Sequence, residues 1–137
     1  MKGGGLMEKV SKYEDVIKSF HSSFQDKVII PESLEKEWFL KAVGKFSYEI
    51  DPLNFDEELL EFDTCLDRYV IDTLGSMMKK FYQQRELSKV NKRISIVGKD
   101  LSVNSGMSSS KYAENELAQV SDEVNEMLFK QTPTAYN

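Results

Sequence analysis

The chain has 137 residues and a mass of 15.8 kDa, with 40% hydrophobic residues, 30% charged residues and a net charge of −5. These figures predict one small acidic domain with a modest core, made as a soluble cytoplasmic product. No apolar run approaches the roughly 20 residues that a bilayer-spanning helix needs, so no membrane partner is expected. Because the chain has one cysteine and one histidine, an intrachain disulfide and a Cys/His zinc cage are excluded.

Charge is unevenly spread along the sequence. Residues 49–72 carry nine acids and one arginine, a balance of −8, whereas residues 79–100 carry seven basic residues and two acids, a balance of +5. Such polarity suits side-by-side stacking of copies, because complementary potentials fix the orientation of partners. The alternative is a pair of solvated faces. The candidates for charge pairing between subunits are Glu57, Glu58, Glu61, Lys79, Lys80 and Arg85.

Apolar residues at spacings of three and four predict the first two helices. After a flexible N-terminus of residues 1–6, the first helix is expected over about residues 7–26, with a stripe of Val10, Tyr13, Ile17, Phe20 and Phe24. Pro31 suits the first turn of a second helix that continues to about residue 48. The acids that follow this proline interact favourably with the positive end of the helix.

The middle of the chain combines a loop with the longest periodic run. Residues 49–56 contain Pro52 and Asn54 and are predicted to form a loop, and the next few residues are compatible with a short turn of helix. The run that follows predicts a helix over about residues 63–92, which would span roughly 45 Å. Gly75 lies inside this helix and is small enough to allow another helix close by.

Beyond Arg93 the apolar period changes from that of a helix to that of a strand. Alternation around Gly98 predicts a hairpin over about residues 94–103, whose one apolar face packs on the chain's own helices or between copies. Its candidate intersubunit residues are Ile94, Ile96, Leu101 and Val103. A last helix from about Ser110 to Lys130 and an extended tail of residues 131–137 complete the chain. The predicted fold is mainly α: a small helical bundle over residues 7–130 with one long helix, a protruding β-hairpin and an extended C-terminal tail.

The residue types needed for catalysis or metal binding do not come together in the sequence. His21 lies off the apolar stripe of the first helix and is expected at the surface, without a nucleophile that it could activate. Cys65 is flanked by the acids Asp63 and Asp67 and has no basic residue beside it that would favour a reactive thiolate, and a buried, inert cysteine is the prediction. Acid pairs one turn apart, such as Asp63 and Asp67, occur by chance in any acid-rich helix. No catalytic residue, metal site or cofactor is predicted, and the chain is not expected to be an enzyme.

The order of elements resembles that of the small head-to-tail connector, or adaptor, proteins of tailed bacteriophages. The resemblance covers most of the chain and is carried by residues 37–40 (EWFL), 51–53 (DPL), 72–79 (DTLGSMMK) and the hairpin-serine stretch of residues 94–110. It implies a virion protein without enzyme activity, made in the cytoplasm of the bacterial host and placed in the neck of the virion.

The resemblance also implies the partners. Multiple copies, typically twelve, form a ring beneath the portal protein, the ring meets a downstream neck or tail-terminator protein, and DNA passes through the lumen without specific binding. The hairpin would pack between copies or onto the next neck component. The segment that reaches the portal would be Gln131, Thr132, Pro133, Thr134, Ala135, Tyr136 and Asn137.

Net acidity suits a conduit, because retention on DNA depends on cations that replace its counterions. A different class of function stays open, however. The basic stretch of residues 79–99, with Phe81 and Tyr82 interleaved, is the feature that a phage DNA-packaging or regulatory helper would use to bind nucleic acid. The salt dependence of DNA binding distinguishes these two hypotheses.

Overall fold

A computed structural model describes residues 9–97 and 103–132 of the chain. This part contains four helices and one two-stranded antiparallel sheet. In chain order the elements are α1 (Tyr13–Ser22), α2 (Glu32–Glu49), β1 (Phe55–Asp56), β2 (Glu61–Phe62), α3 (Arg68–Val97) and α4 (Val103–Gln131). The prediction of a mainly α fold with one long helix and a hairpin is confirmed.

The core lies where α1, α2, the hairpin and α4 meet the first half of α3. Phe39 of α2 is fully buried, and its ring makes edge-to-face contacts with Tyr13, Phe55 and Phe62 at centroid distances of 4.8, 4.7 and 5.9 Å. Burying each large apolar side chain stabilises the fold by about 1.5–3 kcal/mol. The buried core consists of Val16, Phe20, Trp38, Phe39, Ala42, Val43, Phe46, Phe62, Ile71, Leu74, Met77, Met78, Val120, Val124 and Leu128.

Gly75 permits the close approach of α1 and α3. A Cβ atom at this position would lie 2.8 Å from Ser19 Oγ and 3.1 Å from the backbone nitrogen of Phe20. One turn earlier in α3, Asp72 Oδ1 accepts a hydrogen bond from Ser19 Oγ at 2.8 Å. The predicted role of Gly75 as a site of close helix approach is confirmed.

The segment before α1 is extended rather than helical. The backbone N–H of Ser11 donates to Thr64 O at 3.0 Å, the carbonyl of Ser11 accepts from Phe62 N–H at 2.8 Å, and Tyr13 N–H donates to Leu60 O at 3.0 Å. These bonds attach residues 11–13 to the hairpin, so α1 begins at Tyr13 and not near residue 7. The predicted helical position of Val10 is therefore wrong.

The hairpin is not where the sequence predicts it. Ile94 and Ile96 lie in α3, Val103 is the first residue of α4, and Leu101 lies outside the described residues. The physical reason is that positions 87, 90, 94 and 97 repeat at intervals of three and four, so the apolar residues continue the helix. The observed hairpin is instead the pair of β1 and β2, with Phe55 opposite Phe62 and Asp56 opposite Glu61.

The first two residues of the predicted tail, Gln131 and Thr132, are bonded to helices of the bundle. Gln131 is the last residue of α4, and its Nε2 donates to Thr73 Oγ1 at 2.8 Å and to Met127 O at 2.9 Å. Thr132 is also tied to the helix, since its Oγ1 donates to Leu128 O at 2.8 Å. Residues 133–137 of the predicted tail and residues 1–6 of the predicted N-terminus lie outside the described residues.

Helices α3 and α4 pack antiparallel. Thr73 meets Gln131 near one end, and near the other Ser110 Oγ donates to Asn91 Oδ1 at 3.1 Å. The last buried residue in the described part of α3 is Gln83, and the first in α4 is Ala113. We call residues 84–97 and 103–112 the stem, and the remaining described residues the base. No helix in the described ranges is both long and apolar enough to cross a bilayer.

Candidate assembly surfaces

The turn of the hairpin, residues 57–60, forms a tip held by Asp56. One oxygen of the Asp56 carboxylate, Oδ1, accepts hydrogen bonds from the backbone N–H groups of Glu58 and Leu59 at 2.9 and 3.1 Å. The carbonyl of Asp56 accepts a third bond from Leu60 N–H at 2.8 Å. Leu60 closes the turn with a φ of 57°, a left-handed conformation that costs a residue with a Cβ roughly 1–2 kcal/mol.

The tip is both apolar and acidic. Leu59 is 66% exposed and Leu60 is 39% exposed, while the predicted pairing residues Glu57 and Glu58 are exposed beside them. Glu61 lies in β2, where it is half-buried, and its backbone forms an isolated antiparallel β-bridge with that of Lys12. Residues 51–67 contain seven acids and no basic residue. The tip therefore presents an exposed leucine beside the exposed acids Glu57 and Glu58, with Lys12 of the neighbouring segment close to Leu59 and Leu60.

The three basic residues predicted for subunit pairing have different environments. Lys79 is engaged inside the chain: its Nζ donates to Ser23 O at 2.8 Å and lies 5.4 Å from the centroid of the Phe24 ring. Arg85 Nη1 is 3.9 Å from Glu86 Oε2, and Lys80 is half-buried. Within the described ranges, no ion pair joins these residues to Glu57, Glu58 or Glu61, so the predicted acid–base pairing is not made inside one copy.

The acidic and basic surfaces are separated along α3. The hairpin is joined to the N-terminal end of α3 by residues 63–67, and the basic residues follow along the helix from Lys79 to Arg93. At 1.5 Å per residue, Arg93 lies about 38 Å along the helix from Arg68. One copy therefore carries the acidic hairpin at one end of the long helix, and the basic residues of α3 lie farther along the same helix.

A cleft of about 440 Å³ opens between the C-terminal end of α1, α3 and α4. Its lining includes the acids Asp26, Glu116 and Glu123 and the aromatic residues Tyr82 and Tyr112. It continues toward the stem in a shallower part that Glu86 and Val90 also line. We call this whole depression, from Ser23 to Val90, the cleft.

Gln83 and Tyr82 are polar side chains in the lining of the cleft. Gln83 is 8% exposed and lines both parts of the cleft, and no buried side-chain nitrogen or oxygen atom in the described ranges lacks a hydrogen-bond partner. Tyr82 packs edge-on against Phe24 at 4.9 Å. Burial raises the pKa of Tyr82 above its usual 10.0, and the negative charge of Glu86 adds to this effect. The only signal of Gln83 in the sequence is a polar residue between apolar helical positions.

The single histidine and the single cysteine take no part in these surfaces. His21 is at the surface as predicted, with a half-exposed ring, and its Nε2 is hydrogen-bonded to Glu35 Oε2 at 2.5 Å. Glu35 is a buried acid, and its position among the acids that follow Pro31 gave no sign of this burial. Cys65 is exposed; the prediction of a buried cysteine is wrong, because the residue lies in the connection between β2 and α3. Among the residues that the structure describes, no three His, Cys, Asp or Glu side chains are grouped to hold a metal ion.

Comparison of the chain with protein-family models, with curated proteins and with solved structures gives no match.

Proposed function

We propose that this chain is a structural assembly protein, a head-to-tail connector of a tailed bacteriophage that forms a ring between portal and tail. The observation that carries the proposal is the separation of charge within one small copy. The tip is acidic and exposes Leu59, and the basic residues of α3 lie as much as about 38 Å farther along the same helix. Neither surface is neutralised by the other inside the copy.

Such a copy is suited to head-to-tail association. When one surface of a protein binds a different surface of an identical neighbour, the contact repeats, and the assembly is a ring if the rotation closes. The tip of one copy would meet Lys80 and Arg85 of the next. Complementary potentials would then fix the orientation of the copies, and Leu59 would supply the apolar contact.

The charge of α4 favours a DNA conduit rather than a DNA clamp. Residues 111–130 carry five acids and two lysines, so a lumen lined by this helix would repel phosphates. Retention on DNA requires cations that replace its counterions. Duplex DNA would therefore slide through the ring without being held.

The predicted portal contact is residues 131–137, and we propose that its contacting part is residues 133–137. Gln131 was part of the predicted contact segment, but its amide is committed to Thr73 and Met127. Thr132 is likewise hydrogen-bonded to α4. A deletion that tests the portal contact should therefore remove Pro133 to Asn137 and leave Gln131 in place, so that the packing of α4 is unchanged.

The test of the proposal is assembly with the portal protein from the same genome. Negative-stain electron microscopy and light scattering are expected to show a ring on the portal, with a weakly associated chain in its absence. The double variants Glu57→Lys/Glu58→Lys and Lys80→Glu/Arg85→Glu should each prevent the ring, and their equimolar mixture should restore it. Glu37→Lys, at an exposed acid of α2, is the matched control. If the unmodified chain does not bind the portal protein, the connector function is refuted.

A nucleic-acid-binding helper is the second candidate. The observation that favours it is the exposure of Lys89, Lys92 and Arg93 on the stem. Fluorescence anisotropy with duplex DNA at two salt concentrations tests it, because phosphate binding weakens steeply with salt. The connector proposal expects no binding at either concentration. Binding that is lost in Lys92→Glu/Arg93→Glu would favour the helper.

A further inference from the structure

Leucine and isoleucine side chains are exposed at two places in the described part of the chain. Leu59 and Leu60 are 66% and 39% exposed at the tip, and Ile29, in the loop between α1 and α2, is 90% exposed. Every other leucine or isoleucine with a described side chain is at least partly buried. A single exposed apolar residue needs no explanation, but the surroundings of these two places are complementary.

At the tip, the exposed leucines form one wall of a groove. The groove has a volume of about 400 Å³ and lies between the hairpin turn and the start of α1; we call it the tip groove. Tyr13 and Ile17 on its opposite wall also pack against the buried core, so its apolar lining continues from the core to the surface. A branched aliphatic side chain matches such a groove in size and chemistry. The lining consists of Lys12, Tyr13, Glu14, Ile17, Leu59 and Leu60.

Ile29 does not fill the tip groove of its own copy. Tyr13 N–H donates to Leu60 O at 3.0 Å, which fixes the groove at the N-terminal end of α1. Ile29 follows the C-terminal end of α1, where its neighbour Ile30 packs against the core. The ten residues of α1 separate the two ends by about 15 Å. The groove is therefore open to a side chain from another molecule.

The loop that carries Ile29 lies beside basic residues of the stem. Phe24, at the start of this loop, and Trp38 of α2 both pack edge-on against Tyr82, at centroid distances of 4.9 and 6.3 Å. Tyr82, Arg85 and Lys89 follow one another at spacings of three and four, so they share one face of α3. The exposed residues Arg85 and Lys89 therefore continue the face of α3 on which the loop packs.

The charges of the two places are opposite. The stem carries five basic residues and one acid, whereas the base carries eleven basic residues and twenty acids. At the tip, Glu57 and Glu58 are exposed next to the groove, and Lys12 is the basic residue of its lining. A stem that approaches the tip of another copy brings basic side chains to acidic ones, and complementary potentials fix the orientation of such a contact.

We propose that the tip groove binds Ile29 of a second copy of this chain, with Arg85 and Lys89 of that copy facing Glu57 and Glu58. The contact is heterologous, because the groove of one copy receives a different surface of the next. Such a contact repeats from copy to copy and gives a ring when the rotation closes. This inference rests on the proposed self-assembly of the chain and names the apolar partner of the tip.

The first test removes the apolar side chain that enters the groove. Ile29→Asp places a carboxylate in an apolar groove next to two acids, and Tyr48→Asp is the matched control, at a side chain that is 91% exposed on α2. Sedimentation velocity over a wide range of concentration measures self-association, and far-ultraviolet circular dichroism checks the fold. We expect Ile29→Asp to remain folded and to weaken association about tenfold or more. Tyr48→Asp should associate like the unmodified chain.

The second test measures the proximity of the two residues. Both chains carry Cys65→Ser, so that the native exposed cysteine does not react. One chain carries Ile29→Cys, and the other carries Leu59→Cys and a tag that changes its mobility in gel electrophoresis. A disulfide needs Cα atoms about 4.4–6.8 Å apart, so mild oxidation of the mixture should join the two chains. Tyr48→Cys in place of Ile29→Cys is the control and should give little mixed product.

The inference is overturned if Ile29→Asp and Tyr48→Asp associate equally, or if Leu59→Cys joins to Ile29→Cys no more than to Tyr48→Cys. The results also separate this inference from the proposed function. If Ile29→Asp forms the ring on the portal protein as the unmodified chain does, the connector proposal stands and the groove contact is wrong. If the unmodified chain associates in no condition, including with the portal protein, both are wrong.

Discussion

The base and the stem are two regions built on the same pair of helices, and they are stabilised by different means. In the base, Phe39 alone contacts three other aromatic rings within 6 Å. In the stem, no residue with a described side chain is buried, and the bond between Ser110 and Asn91 joins the helices. The base is therefore held together by a packed core, whereas the described side chains of the stem remain accessible to other molecules.

The largest expected effect is the loss of an aromatic residue in the base. Phe39→Ala should lower the free energy of unfolding by about 3–5 kcal/mol, because it removes a fully buried ring and leaves a cavity. That loss is comparable with the whole stability of a small domain. Urea denaturation followed by circular dichroism measures it. Val90→Ala in the stem is the comparison and should cost about 1 kcal/mol or less. Equal losses of unfolding free energy in the two variants would show that Val90 packs in the core as tightly as Phe39 does.

The second prediction compares two helical glycines. Gly75→Ala introduces a Cβ atom 2.8 Å from Ser19 Oγ, so α1 and α3 must move apart. We expect a loss of about 1–3 kcal/mol in unfolding free energy. Gly44 has no atom within 4 Å of the corresponding position, so Gly44→Ala should instead stabilise the protein by about 0.5–1 kcal/mol. Thermal melts of both variants measure the change in stability relative to the unmodified chain. The prediction requires a loss for Gly75→Ala and a gain for Gly44→Ala.

The third prediction concerns the strained turn at the tip. Leu60 has a φ of 57°, a conformation that glycine adopts without steric cost. Leu60→Gly should therefore raise the unfolding free energy by up to about 1 kcal/mol. Leu59→Gly, at the neighbouring position without positive φ, should lower it by about 0.5–1 kcal/mol. Chemical denaturation of the pair provides the measurement, and a stabilising Leu59→Gly would contradict this account of the turn.

The smallest expected effect is at alkaline pH. Burial raises the pKa of Tyr13 above its usual 10.0, with Glu35 and Glu32 adding to the rise, and Tyr82 is shifted in the same direction. The folded chain then keeps protons that the unfolded chain releases, so stability is fully present below pH 10 and falls as pH rises through the folded pKa. Tyr13→Phe and Tyr82→Phe should each reduce this fall in denaturation experiments. Tyr48→Phe, at an exposed ring, is the matched control, and an identical fall in all three variants would refute the prediction.

The helices were predictable because their apolar residues repeat at a spacing that the sequence shows directly. Pro31 gave the start of α2 to within a residue, since it is the residue before Glu32. The close approach at Gly75 was also predictable, because its small size is a local property. The hairpin was not predictable in the same way. Its position depends on two backbone hydrogen bonds, in which Phe62 N–H donates to Ser11 O and Ser11 N–H donates to Thr64 O, and these bonds join residues more than fifty positions apart.

The assembly surfaces were predictable from charge but not from geometry. The sequence shows that residues 51–67 lack basic residues, yet it cannot show that Lys79 is used by Ser23 within the same copy. The cleft was not predictable, because its lining combines the end of α1 with two helices that are distant in sequence. The alternation of Ile94 and Ile96 gave a wrong hairpin, since two positions in a helix can alternate by chance.

The bond between Gln131 and Thr73 fixes where the last five residues of the chain begin. Thr73 lies in the second turn of α3, so the chain leaves the described structure near the N-terminal end of α3, which is the end that carries the hairpin. A partner bound by residues 133–137 would lie at that end. The far end of the stem would then be available to the downstream neck protein. This one hydrogen bond thereby places the start of the C-terminal segment at a fixed end of each copy. Copies that are joined through that segment would therefore all have the same orientation.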